Sequence, residues 1–276
     1  MLKKLMAIVM SLVVVFSFVG CSSNDSKEAS TDKGPKTIKI ATSDQDLEEM
    51  LKSVEGEFLE KGYKMEIRMF AGDIVAPNTA LSEGSVDANF YQHVPYMNDF
   101  NKSKGTNLVA VGESIFYSKM GIYSQKIKSL NEVKDGMEIG ISSDATNRTR
   151  ALLFMENMGL IKLKKGLEVY TKLDIVENPK NLKIVELDVA MIPKTLPDLD
   201  MVIIYPYDME LAGYNIKPIA MDPPEVGKKY GLVLSVDKKN ENAPWAKTLA
   251  ELMKGEKTKE VVKKYYKDTG AHISEY

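Results

Sequence analysis

Between Lys36 and Tyr276, short β-rich runs alternate with amphipathic stretches, and strands separated by helices pack as parallel sheets covered on both faces. Thr37 to Ala41 reads as a strand. Leu47, Met50, Leu51, Val54 and Phe58 then recur at helical spacing behind a cap at Ser43 or Asp44. Further strands are expected at 64–70, 108–115, 120–124, 138–142, 182–187, 201–204 and 232–236, and helices near 94–104, 147–158, 246–253 and 258–266. A body of about 240 residues is enough for two lobes of ordinary size. The expected fold class is α/β with two hinged lobes, each a mostly parallel sheet flanked by helices. Residues 36–119 with 226–276 form the first lobe and 120–225 the second. The chain crosses near 117–125 and returns near 220–230. Ligands in open α/β sheets sit beyond the carboxyl ends of the strands, so a cleft between two such edges is the expected site.

The segment ahead of this body has a separate logic. Lys3 and Lys4 precede an apolar run from Leu5 to Val19, and small residues follow before Cys21. That order is a secretory leader, and the run is shorter than the roughly 20 apolar residues a membrane-spanning helix needs. Residues 1–20 are therefore expected to be removed on export. Cys21 is the single cysteine, so no disulfide can form within the chain. Phe18-Val19-Gly20-Cys21 resembles a bacterial lipobox, which implies lipidation of Cys21. Residues 21–35, small, polar and charged without apolar period, read as a flexible tether. Loss of Lys3 and Lys4 moves the formal charge from −2 to −4, and neither value supplies the basic face that nucleic acid requires.

The chain carries only two histidines, His93 and His272, no G-x-S-x-G, no phosphate-cradling glycine loop and no His/Cys/Asp cluster at metal-ligand spacing. No catalytic residue, metal or cofactor is expected. Arginine use is more telling. Of 37 basic residues only Arg68, Arg148 and Arg150 are arginine, and two of these fall in Asp144–Arg150, directly after an expected strand and opening an expected helix. Such a turn offers unpaired N–H groups, and arginine adds a planar fork matched to a carboxylate. The alternative is a pair of solvated first-turn arginines behind a cap at Thr146 or Asn147. A second segment, Asp87–Met97, gathers Phe90, Tyr91, His93 and Tyr96 at the start of another helix, and aromatic walls with a few polar tips enclose small solutes. By itself Phe90 reads as core. Trp245 reads as packing, and His272 as surface.

Pro77–Leu81, Asp87–Met97, Met120–Ser124, Thr146–Leu153 and Glu177–Leu187 together resemble the NlpA family, lipoproteins that bind methionine for ABC importers. The resemblance runs over nearly the whole chain after the leader. It implies two α/β lobes of the type II periplasmic-binding-protein kind, a lipid-anchored location on the extracytoplasmic face of the cell membrane, and delivery of the solute to a permease with its ATPase. The receptor itself is expected to be a monomer. Carried over by position, it gives Arg150 the ligand carboxylate and Asn147 a supporting hydrogen bond, and places Tyr91, His93 and Tyr96 in the side-chain pocket. Three ligand-facing segments depart from the family pattern. Tyr205-Pro206-Tyr207-Asp208 replaces an Asn-Gly-Asn-Tyr type of segment, Ser43-Asp44-Gln45-Asp46 replaces Pro-Gly-Pro-His, and Gly231 stands at an asparagine position. Asp208 or Asp44 would then meet a ligand ammonium, with Tyr205 beside it. Methionine or a related amino acid is the expected ligand. A different zwitterion, or an adhesin or sensor role on the same fold, is the alternative.

Overall fold

The computed structural model describes residues 34–267, 269 and 271–273. The expected leader, Cys21 and the tether up to residue 33 lie outside the described residues. The body opens with β1 (Lys36–Thr42), in which Ile38, Ile40 and Ala41 are fully buried. Ser43 and Asp44 turn the chain into α1 (Gln45–Ser53) and α2 (Glu55–Glu60), which bury Leu47, Met50, Leu51 and Phe58. The sequence pattern reads as one helix, but Val54 leaves helical geometry at ψ 2° and divides it. The chain continues through β2 (Tyr63–Met69), α3 (Ala76–Ser82), β3 (Ala88–His93), α4 (Val94–Lys104), β4 (Leu108–Ala110) and β5 (Phe116–Tyr117). The strand expected at 108–115 stops at Ala110 because Gly112 turns left-handed at φ 70°.

After the first crossing come β6 (Gly121–Tyr123), β7 (Glu138–Ser142), α5 (Ala145–Asn157), β8 (Lys162–Leu163), β9 (Ile175–Glu177), β10 (Lys183–Leu187), β11 (Met201–Ile204), α6 (Pro206–Leu211) and β12 (Ala220–Met221). The return passes through α7 (Pro224–Gly227) into β13 (Leu232–Asp237), α8 (Pro244–Leu252), α9 (Glu256–Tyr266) and β14 (His272–Ile273).

Two large sheets result. The first runs β14–β5–β13–β3–β1–β2, with β4 also on β13, and the second runs β10–β7–β11–β6–β12. Both are mixed, which corrects the expectation of mostly parallel sheets. β1 is parallel to β2 and β3, and β7 to β10 and β11, as helical crossovers require. The strands that carry the chain in from the other lobe run the opposite way: β13 is antiparallel to β3, and β6 to β11. Each lobe keeps its own core. Ile38, Met50, Phe58, Phe90, Leu234 and Trp245 pack in the first lobe, as expected for Phe90 and Trp245; Ile122, Ile139, Leu152, Phe154 and Ile203 pack in the second. Full burial of such side chains contributes about 1.5–3 kcal/mol each.

Inside the first lobe a buried amide cluster locks α3 to β3 and β13. Asn78 Nδ2 donates to Gln92 Oε1 at 2.7 Å, while its Oδ1 accepts from Asn89 Nδ2 at 2.8 Å and Gln92 Nε2 at 2.6 Å. Gln92 Nε2 also reaches Ser235 Oγ at 3.2 Å. With every partner close to buried, each bond also averts the cost of an unsatisfied amide, about 1–3 kcal/mol.

Candidate ligand-binding cleft

Residues at or just beyond the carboxyl ends of β1, β3, β7 and β11 line a cavity of about 420 Å³ between the two sheets. That lies within the usual range for small-molecule sites, roughly 300–1,000 Å³. Tyr91, His93, Tyr96, Asn147, Tyr205 and Asp208 all border it, as does Asp44. Tyr91 and Tyr96 stand edge to face with centroids 6.3 Å apart, and both hydroxyls donate to the Ile74 carbonyl at 2.9 and 2.8 Å. Their rings thus form an apolar wall, with the polar tips tied elsewhere.

His93 ends β3 and caps α4: its Nδ1 accepts from the Tyr96 N–H at 3.1 Å. Nε2 must then carry the proton, and it donates across the cleft to Asn147 Oδ1 at 3.3 Å. Burial, with Arg150 adding to it and the Asn147 hydrogen bond opposing, lowers the imidazole pKa to about 4, so His93 stays neutral near pH 7. Asn147 Oδ1 also accepts from the Tyr205 hydroxyl at 3.1 Å, and Asn147 Nδ2 donates to Asp144 Oδ2 at 3.0 Å. The cap of α5 is Asp144, not Thr146 or Asn147 as the alternative reading had it: Asp144 accepts the N–H groups of both.

Arg150 departs from expectation. It is fully buried and does not border the cavity. Its Nε and Nη2 both donate to Asp222 Oδ2, at 2.9 and 2.7 Å; Nη2 also reaches the Ser118 carbonyl at 2.7 Å, and Nη1 the Tyr205 hydroxyl at 3.1 Å. The Tyr205 and Tyr230 rings flank the guanidinium at 5.3 and 5.0 Å. Burial works against the charge, and Tyr205, Asp222 and Tyr230 outweigh it, so the guanidinium pKa lies above its ordinary value. The fork expected to grip a ligand carboxylate is occupied by a carboxylate of the chain itself. Arg148 is also engaged, with Glu186 at 3.2 Å and the Tyr170 carbonyl at 3.1 Å.

Asp222 and Ser118 belong to the two crossing segments. Met120 N–H donates to Asp222 Oδ1 at 3.1 Å, and Asp222 N–H to the Met120 carbonyl at 2.9 Å. Arg150 therefore ties both hinge strands to α5, and a chain of hydrogen bonds continues through Tyr205 and Asn147 to His93 in the other lobe. The lobes also meet at α6, where Tyr207 packs on Tyr266 and Tyr265 of α9, with centroids 6.3 and 5.9 Å away.

The opposite end of the cavity is acidic. Asp44 on the β1–α1 turn, Asp46 in the first turn of α1 and Asp208 on α6 border it together. Asp44 accepts from the Ser43 hydroxyl at 2.6 Å, yet burial still raises its pKa. Burial lifts Asp46 to about 7, with Asp44 adding to the rise and the Tyr266 hydroxyl and nearby backbone N–H groups opposing it. Asp208 is pushed well above the carboxylate range by burial and then by Asp44 and Asp46. Tyr230, Tyr266 and Asp222 are site or hinge residues that sequence reasoning missed, while Asp46 and Tyr207 fell within the ligand-facing segments without being assigned a role. Asp46 stands two places from Asp44 in a turn already marked as unusual, whereas nothing local marks Asp222, 72 residues from its partner.

Gly231 has a steric reason. A Cβ there would lie 2.5 Å from Tyr117 Cε1 and 2.6 Å from Ser114 Cβ, so the crossing strands leave no room for an asparagine.

Two α/β lobes joined by two hinge strands over an aromatic-walled cavity define a solute-binding protein. The NlpA lipoprotein profile matches residues 38–274, and the chain belongs to that family. It is 42% identical over 199 residues to the D-methionine-binding lipoprotein MetQ of Salmonella typhi, covering 71% of this chain and 69% of the relative. Among solved structures, a periplasmic substrate-binding protein of an ABC transporter from Coxiella burnetii superposes with a TM-score of 0.80 at 33% identity, covering 86% of this chain and all of that one. A nutrient-binding protein from Burkholderia cenocepacia bound to methionine gives a TM-score of 0.80 at 34% identity, with the same coverage.

Proposed function

We propose that this chain is the receptor lipoprotein of an ABC importer, anchored through Cys21 outside the cytoplasmic membrane, where it captures methionine or a related amino acid and passes it to a permease driven by an ATPase. The observation that carries this reading is the cavity between the lobes, with the Tyr91–Tyr96 wall on one lobe and the His93–Asn147 hydrogen bond spanning to the other. An enclosed site between hinged lobes couples occupancy to lobe position, which is the property a permease can sense. On this reading the receptor acts as a monomer and binds its solute without transforming it, and His93 is structural, spending one ring nitrogen on capping α4 and the other on Asn147.

Native mass spectrometry of the protein as purified, followed by calorimetric titration with the amino acids and their derivatives after unfolding and refolding, tests the proposal. A co-purified small mass or tight binding of one solute is expected. A correctly refolded protein that binds none of them would move the weight to an adhesin or sensor role.

A further inference from the structure

Among the described residues, two buried side-chain polar atoms have no hydrogen-bond partner, Asp46 Oδ1 and Ser118 Oγ, and both residues line the cavity. Leaving a buried polar atom unpaired is costly, and two of them on one cavity point to a solute that pairs with both. Their surroundings differ. Ser118 lies on the first crossing, and its carbonyl accepts from Arg150 Nη2 at 2.7 Å, so its hydroxyl stands beside a guanidinium already neutralised by Asp222. A hydroxyl there can donate to a carboxylate. Asp46, 1% exposed, belongs to the first lobe, and its Oδ2 accepts from the Tyr266 hydroxyl of α9. Asp44 adjoins it from two places earlier, and Asp208 and Tyr207 face it from α6 of the second lobe. No lysine or arginine pairs with the three acids among the described residues: Lys264 of α9 is spent on Glu49, and Lys194, the one lysine on the lining, is exposed. Carboxyl groups crowded together without a counterion retain protons, and burial lifts Asp46 to about 7 and holds Asp208 well above the carboxylate range.

On the receptor reading above, we infer that the cleft holds an amino-acid zwitterion end to end, its carboxylate on the Ser118 hydroxyl and its ammonium on Asp46 of one lobe and Asp208 of the other, and that the ammonium enters in exchange for a proton. Neutral carboxyl groups are cheap to bury in the ligand-free protein. An arriving ammonium favours ionisation of one of them: its O–H bond breaks, the proton leaves to solvent, and the carboxylate keeps the electron pair with the ammonium as counterion. The other carboxyl keeps its proton and accepts an ammonium N–H on its carbonyl oxygen. Because the two acids come from different lobes, the ammonium draws the lobes together. Below pH 7 each capture must expel a proton that the acid pair holds, so affinity falls as pH falls and rises towards neutrality.

Calorimetry on the refolded, detergent-solubilised full chain tests this, with methionine as the first probe and the other amino acids after it. At pH 6, titrations in two buffers of different ionisation enthalpy should show release of about one proton per solute, and the dissociation constant should tighten about tenfold from pH 5 to pH 6. Asp46→Asn should abolish the proton release and flatten that pH dependence. Ser118→Ala should weaken binding about tenfold and leave the proton count unchanged, and the N-acetyl form of the solute should not bind. The proton count on the unaltered chain decides the matter even where a variant fails to fold. Tight binding without proton release, or a Ser118→Ala variant of unchanged affinity, would overturn the inference and leave the receptor reading intact; no binding by any amino acid would remove both.

Discussion

At the scale of single residues, the Arg150–Asp222 pair is the most consequential contact in the molecule. Both side chains are fully buried, so Asp222→Ala leaves an uncompensated guanidinium and should cost roughly 3–5 kcal/mol, read as a fall in the urea midpoint. Replacing both, as Arg150→Met with Asp222→Leu, should recover most of that loss. Asp46 makes a second prediction. Its carboxyl titrates at 3.8 when unfolded and about 7 when folded, so between those values the folded state keeps a proton that the unfolded state has released. The stabilisation is full at the acid end and is lost as pH climbs through 7, by about 4 kcal/mol at 1.36 kcal/mol per unit. The melting temperature of the ligand-free protein should fall between about pH 5 and pH 7, and Asp46→Asn should flatten that slope. Tyr91, His93, Tyr96, Asn147, Tyr205, Asp44 and Asp208 were legible in the sequence as cavity residues because aromatic density and family position marked them. Arg150 was legible as important, but not its partner: a buried charge is satisfied in three dimensions, and Asp222 reaches it only because the return crossing lies against the first.

Among elements, α5 carries the most. Asp144 accepts the Thr146 and Asn147 N–H groups at 3.2 and 2.9 Å and also holds Asn147 Nδ2, so one carboxylate caps the helix and orients the residue that bridges the lobes. Asp144→Ala should cost about 1–2 kcal/mol in chemical denaturation, and ligand affinity should fall further than that of an exposed control because Asn147 is released. Strands such as β7, β10 and β11 were readable from their apolar runs. β3 was not, since all six of its residues are buried and the alternation that betrays a strand is missing. Asn78, Asn89 and Gln92, which lie in two of the segments that carry the family resemblance, form the amide cluster that fastens α3 to the sheet.

For the whole molecule, the two-lobe arrangement followed from strand–helix alternation, whereas strand direction did not, because periodicity carries no record of where a chain enters a sheet. The lobes touch at His93–Asn147 and at Tyr207–Tyr266 with the cavity between them. A ligand that fills this space binds the folded state alone, and at a hundred times its dissociation constant should add about 2.7 kcal/mol. That corresponds to a rise of roughly 5–10 °C in melting temperature for a chain of this size. Trp245 is buried in the first-lobe core away from the cavity, so its fluorescence should stay nearly constant during the same titration.

The place of β13 in the first sheet has a consequence for how the protein is made. β13 lies between β3 and β5, yet it is encoded after the entire second lobe. A chain emerging from a membrane pore amino end first can complete the second lobe while β3 still presents a bare edge. The first lobe waits for residues 232–237 to arrive, and until then that edge is open to wrong neighbours. Any nascent chain stalled before β13 is therefore a candidate for quality-control proteases at the cell surface, and holding the early strands apart from other chains is a task for the export machinery.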